Sequence, residues 1–190
     1  EKVIIHPVLV PKLHVDAFRD GHLRVGRLEG GFQIYEKTDT ADSNVDYFPT
    51  GNKFLPPPTR KALIELAVAE AGLGDKIEGA YYPEIYNSKG FQGVIAEIKR
   101  RYPNARLHAL HGTDFGGMTV RQIVDECGWI YPWRILRRDN VSATAIRKGA
   151  KGMTSGVVTD VLEQLSQNRP VVVVGGRRFR NDNGVLTEGD

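Results

Sequence analysis

The chain has 190 residues, 41% of them hydrophobic, with a formal net charge of +3; that length and apolar content suit one good core, so a single domain over 1–190 is expected, with 168–190 as a C-terminal extension. The mildly basic balance, with a pI near 9.0, accommodates an anionic small ligand as readily as a nucleic acid, and one cysteine, Cys127, excludes a disulfide framework or a cysteine-rich zinc site. No apolar run approaches the ~20 residues that span a bilayer, and Val3–Val10, interrupted by Pro7, does not read as a signal peptide, so a cytoplasmic protein without a membrane partner is expected.

In chain order, Val3–Val10 is β-branched enough for a buried strand, and Phe32–Lys37 reads as another. Between them, Leu23–Leu28 fits either a short helix or the first arm of a hairpin closing at Glu29-Gly30-Gly31. Thr38–Asn52 is polar and reads as a surface loop. Pro56-Pro57-Pro58 followed by Thr59 stops one segment and caps the next, a helix carrying Leu63, Leu66, Ala67 and Ala71 at helical spacing up to Gly72. Ile77–Tyr82 reads as a strand, Phe91, Val94, Ile95 and Ile98 mark a helix with the basic end Lys99-Arg100-Arg101, and Leu107–His111 returns as a strand. A glycine turn and a helix through Cys127 follow. Trp129–Leu136 is the next strand, then a helix from Ser142, an amphipathic helix with Val157, Val161, Leu162 and Leu165, and the apolar run Val171–Val174 ending at Gly175-Gly176. Strands alternating with helices imply an α/β fold with a mainly parallel sheet and helices on both faces. Ligands then bind at the carboxyl ends of the strands, where Gly112-Thr113-Asp114 and Arg137–Ser142 fall.

The stretch Val141-Ser142-Ala143-Thr144-Ala145-Ile146-Arg147 carries the most chemistry. Ser142 or Thr144 can cap a helix whose free N–H groups and dipole favour an anion, and Arg147 adds a guanidinium fork. Around it lie Arg134, Arg137, Arg138, Lys148 and Lys151 against Asp139 alone. The competing reading is an ordinary helix start on a solvated basic face. His108 and His111 would fall on opposite faces of a strand, so no zinc site is expected.

This stretch resembles the Ile-Ser-Ser-Thr-x-Ile-Arg signature of the nicotinate and nicotinamide mononucleotide adenylyltransferases, nucleotidyltransferases that also carry an HxGH motif. It departs by Val for Ile and by Ala for one Ser. Tyr102–Asp114 is similar to the family's helix end, strand and Gly-x-Asp loop, and the likeness extends over roughly 53–165. At the N-terminal signature only Gly21 and His22 match, with Arg19 where the first histidine or threonine belongs. Ser88-Lys89-Gly90 departs from the family's Ser-Tyr-Thr.

The resemblance implies a Rossmann-like fold and AMP transfer from ATP, as Mg²⁺ complex, to a phosphorylated acceptor such as nicotinate or nicotinamide mononucleotide, a step of NAD biosynthesis. His22 and Arg147 would be the catalytic contacts to phosphate. Gly21, Gly112, Asp114, Ser142 and Thr144 would complete the ATP site, and Lys53, Ser88 and Trp133 the acceptor site, with no protein-held metal. From the residues alone, His22 reads rather as a turn residue, Asp114 equally as a cap, and Trp133 more often as core. Two alternatives stand beside the adenylyltransferase. One is a catalytically degenerate relative that binds nucleotides or nucleic acid, prompted by Arg19 and by Arg177-Arg178-Phe179-Arg180. The other is a nucleotidyltransferase with another phosphorylated acceptor. The valine run leaves a homo-oligomer open.

Overall fold

A computed structural model describes residues 3–5, 12–29, 32–44, 53–79, 83–112, 130–135, 145–146, 149 and 151–189. The chain divides into two compact units, Glu1–Tyr81 with Ser142–Asp190, and Tyr82–Val141.

The first unit contains β1 (Val3–Ile5), α1 (Lys12–Arg19), β2 (Leu23–Glu29), β3 (Phe32–Lys37), β4 (Lys53–Phe54), α2 (Pro57–Glu70) and β5 (Ile77–Gly79). The second holds α3 (Pro83–Arg101), β6 (Leu107–Gly112) and β7 (Ile130–Ile135), after which α4 (Gly156–Ser166), β8 (Val171–Val174), β9 (Arg177–Asp182) and β10 (Val185–Glu188) complete the first.

The core of the first unit is built on matching periodicities. Ala62, Leu63 and Leu66 share one face of α2, and Val161 and Leu165 lie one turn apart on α4. Alternate strand positions Val172, Val174, Phe179 and Leu186 close over them. Val161, Leu165 and Val172 are wholly sealed, each contributing about 1.5–3 kcal/mol of burial. Proline in the first turn of α2 presets the helical φ where no intrahelical N–H bond is needed. Thr59 is fully buried and does not cap that helix: its Oγ1 donates to the Gly184 carbonyl and accepts from the Leu186 N–H at 3.1 Å. The hydroxyl therefore fastens α2 to the β9–β10 turn. Arg177 adds a half-exposed tie, pairing with Glu188 and, at 3.1 Å, with Glu65, while its guanidinium lies 5.0 Å from the Phe179 ring centroid.

The expected Rossmann-like, mainly parallel sheet with helices on both faces is not what forms among the described residues. Both three-stranded sheets, β2-β3-β4 and β10-β9-β8, are antiparallel, and parallel pairing is confined to the separate two-stranded ladders β1–β5 and β6–β7. Turn chemistry is the physical reason. Gly175-Gly176, with φ of 56° and 73°, and Asn183-Gly184, with φ of 51° and 88°, are two-residue links with both central residues left-handed. That geometry reverses a strand onto its neighbour and forbids a crossover. Residues 168–190 thus supply a hairpin meander that completes the core.

The alternatives left open for Leu23–Leu28 resolve as the first arm of a hairpin, β2 on β3, with a register shift between Val25 and Arg27. Most other predicted strands match described strands with trimmed ends, the helices at Thr59 and Val157 match α2 and α4, and the helix marked by Phe91–Ile98 begins earlier, at Pro83. The helix expected through Cys127 and, apart from Ala145 and Ile146, the helix expected from Ser142 lie outside the described residues. No helix among the described residues is long and apolar enough to cross a membrane.

Candidate functional site

In the first unit, the matched residues Gly21 and His22 form the tight link between α1 and β2. Gly21 has φ of 76°, a conformation in which glycine carries no side-chain penalty. Its carbonyl accepts hydroxyl bonds from Thr38 and, at 3.0 Å, from Thr40. The His22 N–H donates to Ala17 O at 2.7 Å, and its carbonyl accepts from the Thr38 N–H at 3.0 Å. The His22 ring is half-buried, with Nδ1 3.1 Å from Thr40 Oγ1, which leaves Nε2 as the remaining polar ring atom. Below the turn, Ala17 and Leu23 are buried with Phe18 against them, and Phe18 meets Tyr35 edge to face at 4.8 Å. Burial pushes the Tyr35 phenol up, with a partial offset from the charge of Arg60.

Sequence reasoning placed Thr38 and Thr40 in a generic surface loop. Their hydroxyls at i and i+2, facing a Gly-His turn from across a hairpin, become meaningful only once β2 and β3 are paired. Arg19, which stands where the family signature begins, bonds Asp20 at 3.1 Å and Asp16 at 3.3 Å. The hydrogen bond from Arg19 holds the Asp20 carboxyl below its ordinary range. A helix precedes His22 and a strand follows it, whereas the family's motif joins a strand to a following helix. Lys53 begins β4, opposite Ile34 of β3.

In the second unit, β6 and β7 run parallel in unbroken register, with Leu110 beside Trp133 and Gly112 beside Ile135. The carboxyl ends of the two strands are therefore neighbours. Gly112 ends β6 immediately before Thr113-Asp114, and Ile135 ends β7 before Leu136-Arg137-Arg138. Ser88 lies exposed on α3, its hydroxyl donating to Ile85 O at 3.3 Å within the same helix. At the end of α3, hydrogen bonds from Arg100 and Arg101 hold the Glu97 carboxyl down at about 2.

Gly112 and Trp133 are thus brought onto one two-stranded ladder, and Gly21 and His22 into one turn. Asp114, Ser142, Thr144 and Arg147 lie outside the described residues, although Ala145 and Ile146, between Thr144 and Arg147, are helical. No family model, curated protein or solved structure matches this chain.

Proposed function

We propose that the chain binds a nucleoside triphosphate and transfers its nucleotidyl group to a phosphorylated small-molecule acceptor, with ATP as donor and a pyridine mononucleotide as the acceptor of first choice. One observation supports this reading most. Within the eight residues Val141–Lys148 the sequence gathers two hydroxyls, Ser142 and Thr144, with Arg147 and Lys148 and no acid, a composition suited to phosphate. Ser142 and Thr144 would offer hydroxyls to phosphate oxygens, and Arg147 a planar fork matched to them.

In the step, an acceptor phosphate oxygen attacks the α-phosphorus of ATP, the bond to the β-phosphate oxygen breaks, and pyrophosphate leaves with the Mg²⁺ that arrived on the nucleotide. No proton need move at the reacting atoms. The protein's task is to hold the two phosphates in line and to meet charge spreading onto the oxygens. That task is assigned to Ser142, Thr144 and Arg147. His22 is left outside the step, because its turn joins a helix to a strand and its Nδ1 is engaged by Thr40.

The test is pyrophosphate release with ATP, Mg²⁺ and nicotinate or nicotinamide mononucleotide. Arg147→Ala should cut kcat/KM at least ~10-fold, the equivalent of about 1.5–3 kcal/mol for a charge-assisted hydrogen bond. Unchanged kinetics would remove Arg147 from the mechanism.

Arg178 and Arg180 favour a second reading, a nucleic-acid contact. They alternate with inward Phe179 on β9, and both are exposed with no ion pair among the described residues. Two phosphate contacts predict single-strand binding whose log affinity falls with log salt at a slope of about −1.4. Salt-independent binding, or none, removes this reading.

A further inference from the structure

The outer edge of the C-terminal meander is closed from within. Among the described residues, in the order β10-β9-β8, strand β8 has β9 on one side only, and its four residues are all valine. An uncharged, β-branched edge of this kind is a template for another strand. Successive residues of an antiparallel edge point their backbone groups alternately toward the partner strand and away from it. Those of Val173 are taken by a side chain. Gln164 Nε2 donates to Val173 O at 3.0 Å, and the Val173 N–H donates to Gln164 Oε1 at 3.1 Å.

A primary amide bound in this way reproduces the donor and acceptor that a neighbouring strand would present. Its second N–H goes to Asp160 Oδ1 at 3.0 Å, one turn back on α4. The orientation of the amide is fixed by its partners, since the Val173 carbonyl and the Asp160 carboxylate accept and the Val173 N–H donates. Gln164 is only 6% exposed, whereas the Val173 side chain is 54% exposed on the outer face of the sheet.

We propose that Gln164 is a built-in guard of the β8 edge, an intramolecular contact that keeps a second copy of this chain from adding its own β8 antiparallel to the first. The valine run itself points to a second copy as the excluded partner. Paired about a twofold axis, the run sets valine against valine with no like charges opposed, and it would fuse two three-stranded meanders into one sheet. Residues 168–190 then serve the chain's own core, with chain-to-chain pairing held off by one side chain.

The experiment is sedimentation velocity on the full chain over a concentration series, comparing the wild type with Gln164→Leu and with Gln164→Leu/Val173→Lys. The single variant removes both edge bonds at similar size and is expected to form a dimer or larger assembly. The lysine in the double variant, set on the exposed edge, should restore the wild-type distribution. A folded Gln164→Leu that sediments like the wild type up to about ten times the wild-type working concentration overturns the proposal. Should Gln164→Leu not fold, hydrogen exchange on the wild type decides. The Val173 amide should exchange on the order of 100-fold more slowly than an unprotected amide, and exchange at the unprotected rate would overturn the guard.

Discussion

Replacing Thr59 by Val tests the fastening of α2 to the β9–β10 turn with almost no change in shape. The Oγ1 of this fully buried residue both donates to Gly184 O and accepts from the Leu186 N–H. Valine fills the same space but strands two buried backbone groups that water cannot reach. Each unpaired buried group costs about 1–3 kcal/mol, so Thr59→Val should destabilise the first unit by roughly 2–6 kcal/mol, with the cavity term close to zero. At roughly 3–5 °C per kcal/mol for a unit of this size, Tm should fall by about 6 °C or more. Thr59→Ser is the control. It keeps both bonds and loses one methyl, worth about 1 kcal/mol. Urea unfolding followed by circular dichroism separates the two. If Thr59→Val unfolds at the same urea concentration as Thr59→Ser, the hydroxyl is not the fastening and the reasoning fails.

Phe179→Ala should cost about 3–5 kcal/mol, because the ring is 2% exposed at the centre of the α2–α4–meander core; a loss below about 1 kcal/mol in urea unfolding would show that the core closes without it. The second unit carries an acid-sensitive contact. Glu97 has its carboxyl lowered from the ordinary 4.5 to about 2 by hydrogen bonds from Arg100 and then Arg101. A depressed carboxyl stabilises the fold above its unfolded value, and that stability is lost as pH falls from about 4.5 through about 2. Glu97→Gln should flatten this acid limb in pH-dependent unfolding, and an unchanged limb would assign it to other carboxylates.

Much of the local structure was legible in the sequence because periodicity reports burial. Leu63 and Leu66, Val94 and Ile95, and Val161 and Leu165 all announced their helices and are buried in them. The sheet arrangement was not legible in the same way. Parallel or antiparallel pairing depends on the links between strands, and the strand-helix alternation outweighed two explicit hairpin turns, Gly175-Gly176 and Asn183-Gly184. Arg177–Arg180 looked like a basic run. Strand alternation divides it, turning Arg177 toward Glu65 and Glu188 and leaving Arg178 and Arg180 outside. Thr59 read as a cap because hydroxyls before helices usually are, yet its partners lie 125 and 127 residues away. At the site, Gly21 announced its turn, but the threonines that hold His22 come from the far arm of a hairpin.

The most direct test of the nucleotidyl-transfer proposal is the identity of the product. Incubated with ATP, Mg²⁺ and nicotinamide or nicotinate mononucleotide, the wild-type chain should yield a dinucleotide detectable by mass, with one pyrophosphate released for each molecule formed and with both lost in parallel in Arg147→Ala. No dinucleotide with either pyridine mononucleotide or with other phosphorylated acceptors, under conditions where the chain is folded, would contradict it.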